Sequence, residues 1–174
     1  MAIEIEIVSA EPGRAAAAPL LSAVWPPDIL KTLPWGHIAF ADPDLRVMIE
    51  RDGEVVCHVG ICRRTGTWNG RTVHIGGLGN VATRADCRGL GYATLAINAA
   101  IHTLTEERSI DFGMLFCEPH TSAFYEKLGW QSFNGPVFAE QAGQRTRFTA
   151  MSPYVFRIRR LLREGTIDLC GLPW

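Results

Sequence analysis

The chain has no surplus of positive charge. Its 174 residues carry 17 Lys and Arg against 18 Asp and Glu, a net charge of −1. Proteins that bind phosphate backbones show a basic excess, so no nucleic-acid partner is expected. Long apolar runs are also missing: the stretch from Ala15 to Pro27 is broken by Pro19 and the Pro26, Pro27 pair, and it falls short of the ~20 residues of a membrane span. No membrane partner is expected. The opening MAIEIEIVSA places Glu4 and Glu6 where a secretion signal needs a basic start and an apolar run, which reads as a cytoplasmic protein. No C-x-x-C pair occurs among Cys57, Cys62, Cys87, Cys117 and Cys170, and an odd set points to free thiols in a reducing compartment. Cys57, His58, Cys62 and His74 make a poor zinc site, because alternation in VVCHVGIC sends Cys57 and His58 to opposite faces of a strand. No repeat, low-complexity tract or charged linker divides the chain, and with 47% hydrophobic residues it reads as one globular domain, 1–174.

The patterns that are present give a mixed order of elements. Ile3, Ile5 and Ile7 alternate with glutamates, the period of a half-buried strand. Arg14 to Val24 reads as a helix that Pro19 should kink or divide. Trp25 to Pro43, rich in proline and aromatics, reads as an ordered loop of functional length. RVMIE, EVVCHVGICRR and RTVHIGGLGNVATR are separated by Asp52-Gly53 and Asn69-Gly70, strong hairpin signals, so an antiparallel meander is predicted. Gly76, Gly77 and Gly79 in its last strand predict a bulge or a close approach by a ligand or another backbone. Leu90, Ala93, Ile97, Ile101 and Leu104 then recur at helical steps from Gly89 to about Arg108. A strand from Asp111 to Cys117 and a helix from Thr121 to Leu128, closed by Gly129, complete a strand-helix-strand unit with a parallel pair. The fold class is α+β.

Arg88-Gly89-Leu90-Gly91-Tyr92-Ala93 lies between the last meander strand and the long helix. Successive N–H groups there, unobstructed by side chains and at the positive end of a helix dipole, suit a pyrophosphate. The chain has no G-x-x-x-x-G-K-[ST] loop. Thr94 occupies the third small position of a dinucleotide fingerprint, and Asp111 is at the wrong end of its strand for a ribose.

After the glycine loop comes SAFYEKLGW, Ser122 to Trp130. Together with VATRADCRGLGYATL, in this order and spacing, it resembles the GNAT superfamily of acyl-CoA-dependent N-acetyltransferases. From Val55 to Trp174 the chain is also similar to the aminoglycoside 2′-N-acetyltransferases, in VVCHVGICRR, the NGR turn, VATRADCRG, YEKLGW followed by Gly135-Pro136, and a final tryptophan. Two positions depart: Asp86 stands where the superfamily usually has Gln or Arg, and Gly79 where the aminoglycoside enzymes carry an acid.

The resemblance implies a mostly antiparallel sheet with one parallel pair and a splayed central bulge, flanked by helices. It implies acetyl-CoA as co-substrate, a primary amine of a small molecule as acceptor, and it allows a homodimer. Coenzyme A is then expected at Asn80, Val81 and Ala82 and at Arg88, Gly89, Leu90, Gly91, Tyr92 and Ala93. Tyr125 is the implied general acid. Glu118, His120, His74 and the Trp174 carboxylate are candidates to take the amine's proton, with Trp174 also an implied substrate contact. A non-catalytic acyl-CoA sensor and an enzyme using a longer acyl donor share the same motifs. Between Glu118 and Trp174 the side chains sum to a positive charge, which predicts an acceptor less charged than an aminoglycoside, seated against Trp25, Trp35 and Phe40. Asp28, Asp42 and Asp44 are further candidates to line the site.

Overall fold

In a computed structural model that describes residues 2–174, the chain runs β1 (Ile3–Ser9), α1 (Ala10–Val24), α2 (Pro27–Leu30), β2 (Leu45–Arg51), β3 (Glu54–Trp68), β4 (Arg71–Thr83), α3 (Tyr92–Glu106), β5 (Phe112–Cys117), α4 (Ser122–Lys127), β6 (Gln131–Ser132), β7 (Val137–Gln141), β8 (Gln144–Arg147), β9 (Ser152–Arg157) and β10 (Ile167–Asp168). Short 3₁₀ turns at Ala85–Cys87 and Pro119–Thr121 precede α3 and α4. Asp52 and Gly53, like Asn69 and Gly70, all have positive φ, as a type I′ turn requires, and they fold β2, β3 and β4 into the expected antiparallel meander.

All ten strands join one sheet in the order β6-β9-β5-β4-β3-β10-β7-β8, with β1 and β2 added along the first half of β3. β4 and β5 form its central parallel pair, joined by the crossover through α3. β5 is buried on both faces and reads as an unbroken apolar run for that reason. Leu115 and Cys117 point to the core shared with α3 (Ala96, Ile97, Ala100, Leu104), and Phe112, Met114 and Phe116 to a second core with Val73, Val137, Ile167 and Trp174. The fold is therefore α+β, as the motifs imply.

Two local expectations are corrected. Ile3, Ile5 and Ile7 are not half-buried but 46%, 43% and 46% exposed, because β1 is an edge strand bonded to β2 alone. Alternation reveals two faces, not whether anything covers one of them. Pro19 does not divide its helix: α1 is continuous and starts earlier, at Ala10. Gly13, Ala17 and Leu20 form its buried stripe while Pro19 is exposed, so the carbonyl its missing N–H leaves free meets water rather than core. Finally, β6 to β10, short strands in the last third, carry no period long enough to be read from sequence.

Candidate active site

β4 and β5 are paired from Ile75 and Phe112 to Leu78 and Leu115, and there the pairing stops, although β4 runs on to Thr83 and β5 to Cys117. On its other edge β4 slips register against β3: His58 faces Ala82 but Gly60 faces Gly79. β4 thus holds one extra residue, and Asn80 takes a left-handed φ of +49°. Asn is among the few residues other than glycine that tolerate that region. A bulge bends its strand and turns it out of the pairing plane, so the cleft between β4 and β5 opens where the bulge sits.

The bulge is held from beneath. Arg46 Nη1 lies 3.0 Å from His58 Nε2, and His58 Nδ1 lies 2.8 Å from the Asn80 carbonyl oxygen. Arginine can only donate, so Nε2 accepts and Nδ1–H donates to Asn80. Both side chains are buried, His58 fully. Burial, opposed by the Asn80 bond and reinforced by the Arg46 charge, pushes the imidazole down to about 4, which keeps it neutral. Sequence reasoning weighed His58 only as a metal ligand. Its role depends on Arg46 on the neighbouring strand, which no local motif reports.

The glycine loop closes the outer end of the cleft. Gly89 and Gly91 have φ of +75° and +84°, and a Cβ built at either would meet no atom within 4 Å. Arg88 is drawn to the strand end by a bond from its Nε to the Thr83 carbonyl at 3.2 Å. Gly91 caps α3, whose first N–H groups therefore face the same opening. Tyr92 is buried and offers only its backbone, whereas the Leu90 side chain is exposed. Asp86, the departure in this loop, is neutralised by Arg84 at 2.7 Å and Arg51 at 3.4 Å, and the Arg84 bond holds its carboxyl below the usual range.

Tyr125 on α4 and Glu118 at the end of β5 face the cleft from the opposite side. Burial, with Cys117 and Cys57 close by, raises the Tyr125 phenol well above its ordinary value, so its proton stays on. Trp174 sits in the crotch. Its indole N–H donates to the Met114 carbonyl at 3.0 Å, its ring covers Gly77, and the Arg64 guanidinium lies 5.6 Å over the ring centre. A Cβ at Gly79 would be 2.8 Å from the Trp174 carbonyl carbon, so the position has no room for an acid. The glycines of β4 thus divide their work: Gly76 admits Leu104, Gly77 and Gly79 admit Trp174, and the bulge itself falls on Asn80.

One cavity of about 510 Å³ joins these parts, reaching Asn80, Val81, Ala82, Arg88 and Ala93 on one side and Trp25, Trp35, Phe40 and Trp174 on the other. Tyr125, Glu118 and His120 all line it. His74 does not: it lies on the far half of β4, where its Nδ1 is 3.3 Å from Thr65 Oγ1. Nor do Asp28, Asp42 and Asp44; Asp42 is bound to Arg14 at 2.7 Å and Asp44 accepts the Arg63 backbone N–H at 2.6 Å. Phe116, near the end of β5, and Met151, just before β9, complete this apolar side, and neither stands out in the sequence, where an apolar residue beside a strand is indistinguishable from core. Among the described residues no helix is long and apolar enough to cross a membrane, and no group of three His, Cys, Asp or Glu is placed to hold a metal.

A sequence-family profile described as an acetyltransferase (GNAT) domain matches residues 39–133. No curated protein matches the chain. Among solved structures, Escherichia coli ElaA superposes with a TM-score of 0.65 at 15% identity, over 90% of this chain and 100% of that one. A GNAT family acetyltransferase from Brucella melitensis in complex with acetyl-CoA gives 0.61 at 14% identity, over 95% and 94%. A GNAT family N-acetyltransferase (YhbS) from Escherichia coli in complex with CoA gives 0.56 at 18% identity, over 99% and 94%.

Proposed function

The chain belongs to the acetyltransferase (GNAT) domain family, whose co-substrate is acetyl-CoA, and from that premise we propose that it acetylates a primary amine of a small molecule. The observation that carries this reading is the parting of β4 from β5 beyond Leu78 and Leu115, with the Asn80 bulge, Tyr125 and Glu118 on one cavity. Its likeness from Val55 to Trp174 to the aminoglycoside 2′-N-acetyltransferases supports an amine as the nucleophile.

The residues present fit the coenzyme. Empty space in front of Gly89 and Gly91 lets a phosphate reach the backbone N–H groups of Arg88 to Ala93, and the helix dipole of α3 favours its charge. Asn80, Val81 and Ala82, freed from β5, have main-chain groups for the pantetheine arm, as an added strand would use them. Bound there, acetyl-CoA supplies an activated acetyl thioester. An N–H of the bulge stabilises the negative charge that builds on the thioester oxygen.

Two protons leave the ammonium as it becomes an amide. Glu118 takes one and passes it to solvent, and the second balances the one that Tyr125 Oη delivers to the departing sulfur. A raised phenol suits that task, because the proton is present at every working pH. Burial pushes the Cys117 thiol up to about 11, so the nearest sulfur is a poor nucleophile, which supports direct transfer over an acetylated enzyme. Trp174 forms the inner wall beside the reacting centre. Release of thiol from acetyl-CoA in the presence of amines tests the proposal. Binding without release for any amine would leave a sensor instead, and turnover only with longer acyl donors would change the donor.

A further inference from the structure

We infer that the acceptor is an aromatic monoamine, a primary amine with one positive charge on a flat aromatic body. This rests on the acetyl-transfer reading and adds the acceptor class.

Charge comes first. Among the described residues Glu118 is the only acidic side chain on the cavity, and the cavity also carries Arg88 at one end and has Arg64 behind the Trp174 ring. Other nearby carboxylates are already engaged, Asp42 by Arg14 and Asp44 by the backbone of Arg63. Trp174 fills the space in front of Gly79, so no acidic side chain fits at the inner end, and the group that meets Gly79 there is the Trp174 carboxyl carbon. A single ammonium beside Glu118 and the Trp174 carboxylate is compensated, whereas the several charges of a polycation outnumber these two groups and would be desolvated without partners.

Shape is the second argument. Trp25 meets Trp35 edge to face, with centroids 5.7 Å apart and planes at 88°, and Trp35 meets Phe40 at 5.9 Å and 76°. The Ala41 N–H donates to the Pro173 carbonyl at 2.7 Å, which joins this segment to the tail. Trp174 then continues the wall to Phe116 at 6.0 Å. Five rings from three separate segments make one surface. Sugar hydroxyls would find few partners on it, because the Trp174 indole N–H is already given to Met114 and the five rings leave only the Trp25 and Trp35 indole N–H groups as donors, with no acceptor. A flat ring loses no hydrogen bonds there and packs against the ring edges and faces on offer.

The experiment is acetyl-CoA-dependent thiol release with phenylethylamine and tryptamine against n-butylamine, spermidine and kanamycin, run beside the acetyl-CoA thermal shift. The expected result is a kcat/KM for the aromatic amines at least about 10-fold above butylamine, with the polycations lower still. Faster turnover of kanamycin or spermidine overturns the acceptor class and leaves acetyl transfer standing. If no amine is acetylated while acetyl-CoA still shifts the melting temperature, the enzymatic reading falls and the acceptor with it. Trp35→Ala sharpens the test: it should raise KM for phenylethylamine about 10-fold while leaving KM for butylamine and acetyl-CoA unchanged. Equal KM values in a folded variant would overturn the aromatic wall. Should the variant not fold, quenching of tryptophan fluorescence in the CoA-saturated wild type decides: saturable quenching by phenylethylamine and none by butylamine supports the proposal, and the reverse overturns it.

Discussion

The two sides of the cavity are built by opposite rules. The side proposed for the donor comes from one stretch, residues 80–93, and presents mainly backbone: a bulge freed from β5, two left-handed glycines and the start of α3. The side proposed for the acceptor is assembled from side chains far apart in the chain, Trp25, Trp35, Phe40, Phe116, Met151 and Trp174. A site made of backbone is tied to the fold and leaves a local motif. A site made of side chains can be rewritten without touching the fold, and it leaves none. This explains how the fold can match proteins at 14–18% identity.

If that division holds, chemistry and donor binding should separate from acceptor binding in variants. The largest effect is expected for Tyr125→Phe, which removes one hydroxyl from the boundary of the two sides. Its kcat should fall by about 10²–10⁴-fold with the acetyl-CoA thermal shift intact. An unchanged rate in a pre-steady-state burst would remove Tyr125 from the mechanism.

A second effect tests whether the donor side really is anchored through His58. The folded imidazole titrates at about 4 because of burial first, partly offset by its bond to Asn80, and then because of the Arg46 charge. The unfolded chain takes up this proton near the ordinary histidine value of about 6.5, while the native state stays neutral. Between those values the unfolded state binds more protons, so stability falls as pH drops through the window and is recovered above it. The shift corresponds to about 3 kcal/mol across the window. Urea melts of wild type and His58→Gln at pH 7 and pH 4.5 should show the wild type losing more, and parallel slopes would sink the assignment.

The donor loop comes next. Acetyl-CoA at about 100 times its Kd should stabilise the protein by about 2.7 kcal/mol. Gly89→Val or Gly91→Val should abolish that shift, since each forces a β-branched residue to a φ near +80° and fills the space in front of the N–H groups. A folded variant with the full shift would show that the loop does not hold the pyrophosphate.

What was legible in the sequence follows the same division. The glycine loop, both hairpins and α3 are legible because each is specified by neighbours within a few residues, whereas Tyr125 is singled out by the resemblance alone. The bulge was foreseen near Gly79, but its anchor was not, since Arg46 and His58 meet across strands. The exposure of Ile3, Ile5 and Ile7 and the continuity of α1 through Pro19 depend on what lies beside each element, which periodicity does not carry. Trp174 was expected at the site through resemblance, yet its place in the crotch depends on the carbonyl of Met114, 60 residues earlier.

The smallest predicted effect lies where the two sides meet. Gly79 is the last residue of β4 before the bulge, and its missing side chain is what lets the Trp174 backbone close the inner end of the cavity. In Gly79→Ala the new Cβ would stand 2.8 Å from the Trp174 carbonyl carbon, closer than folded proteins allow, so the tail must move rather than the strand, which is bonded to β3. Overpacking of one methyl costs about 1–3 kcal/mol, and the low end is expected because the segment after β10 lies outside the strand ladder and yields more easily than a sheet. The displaced ring then weakens acceptor binding while the bulge and the glycine loop stay as they are. KM for the amine should rise several-fold, with KM for acetyl-CoA unchanged and the melting temperature only slightly lower. A rise confined to acetyl-CoA would mean that Gly79 serves the donor side, and the boundary between the two sides would have to be drawn beyond Trp174.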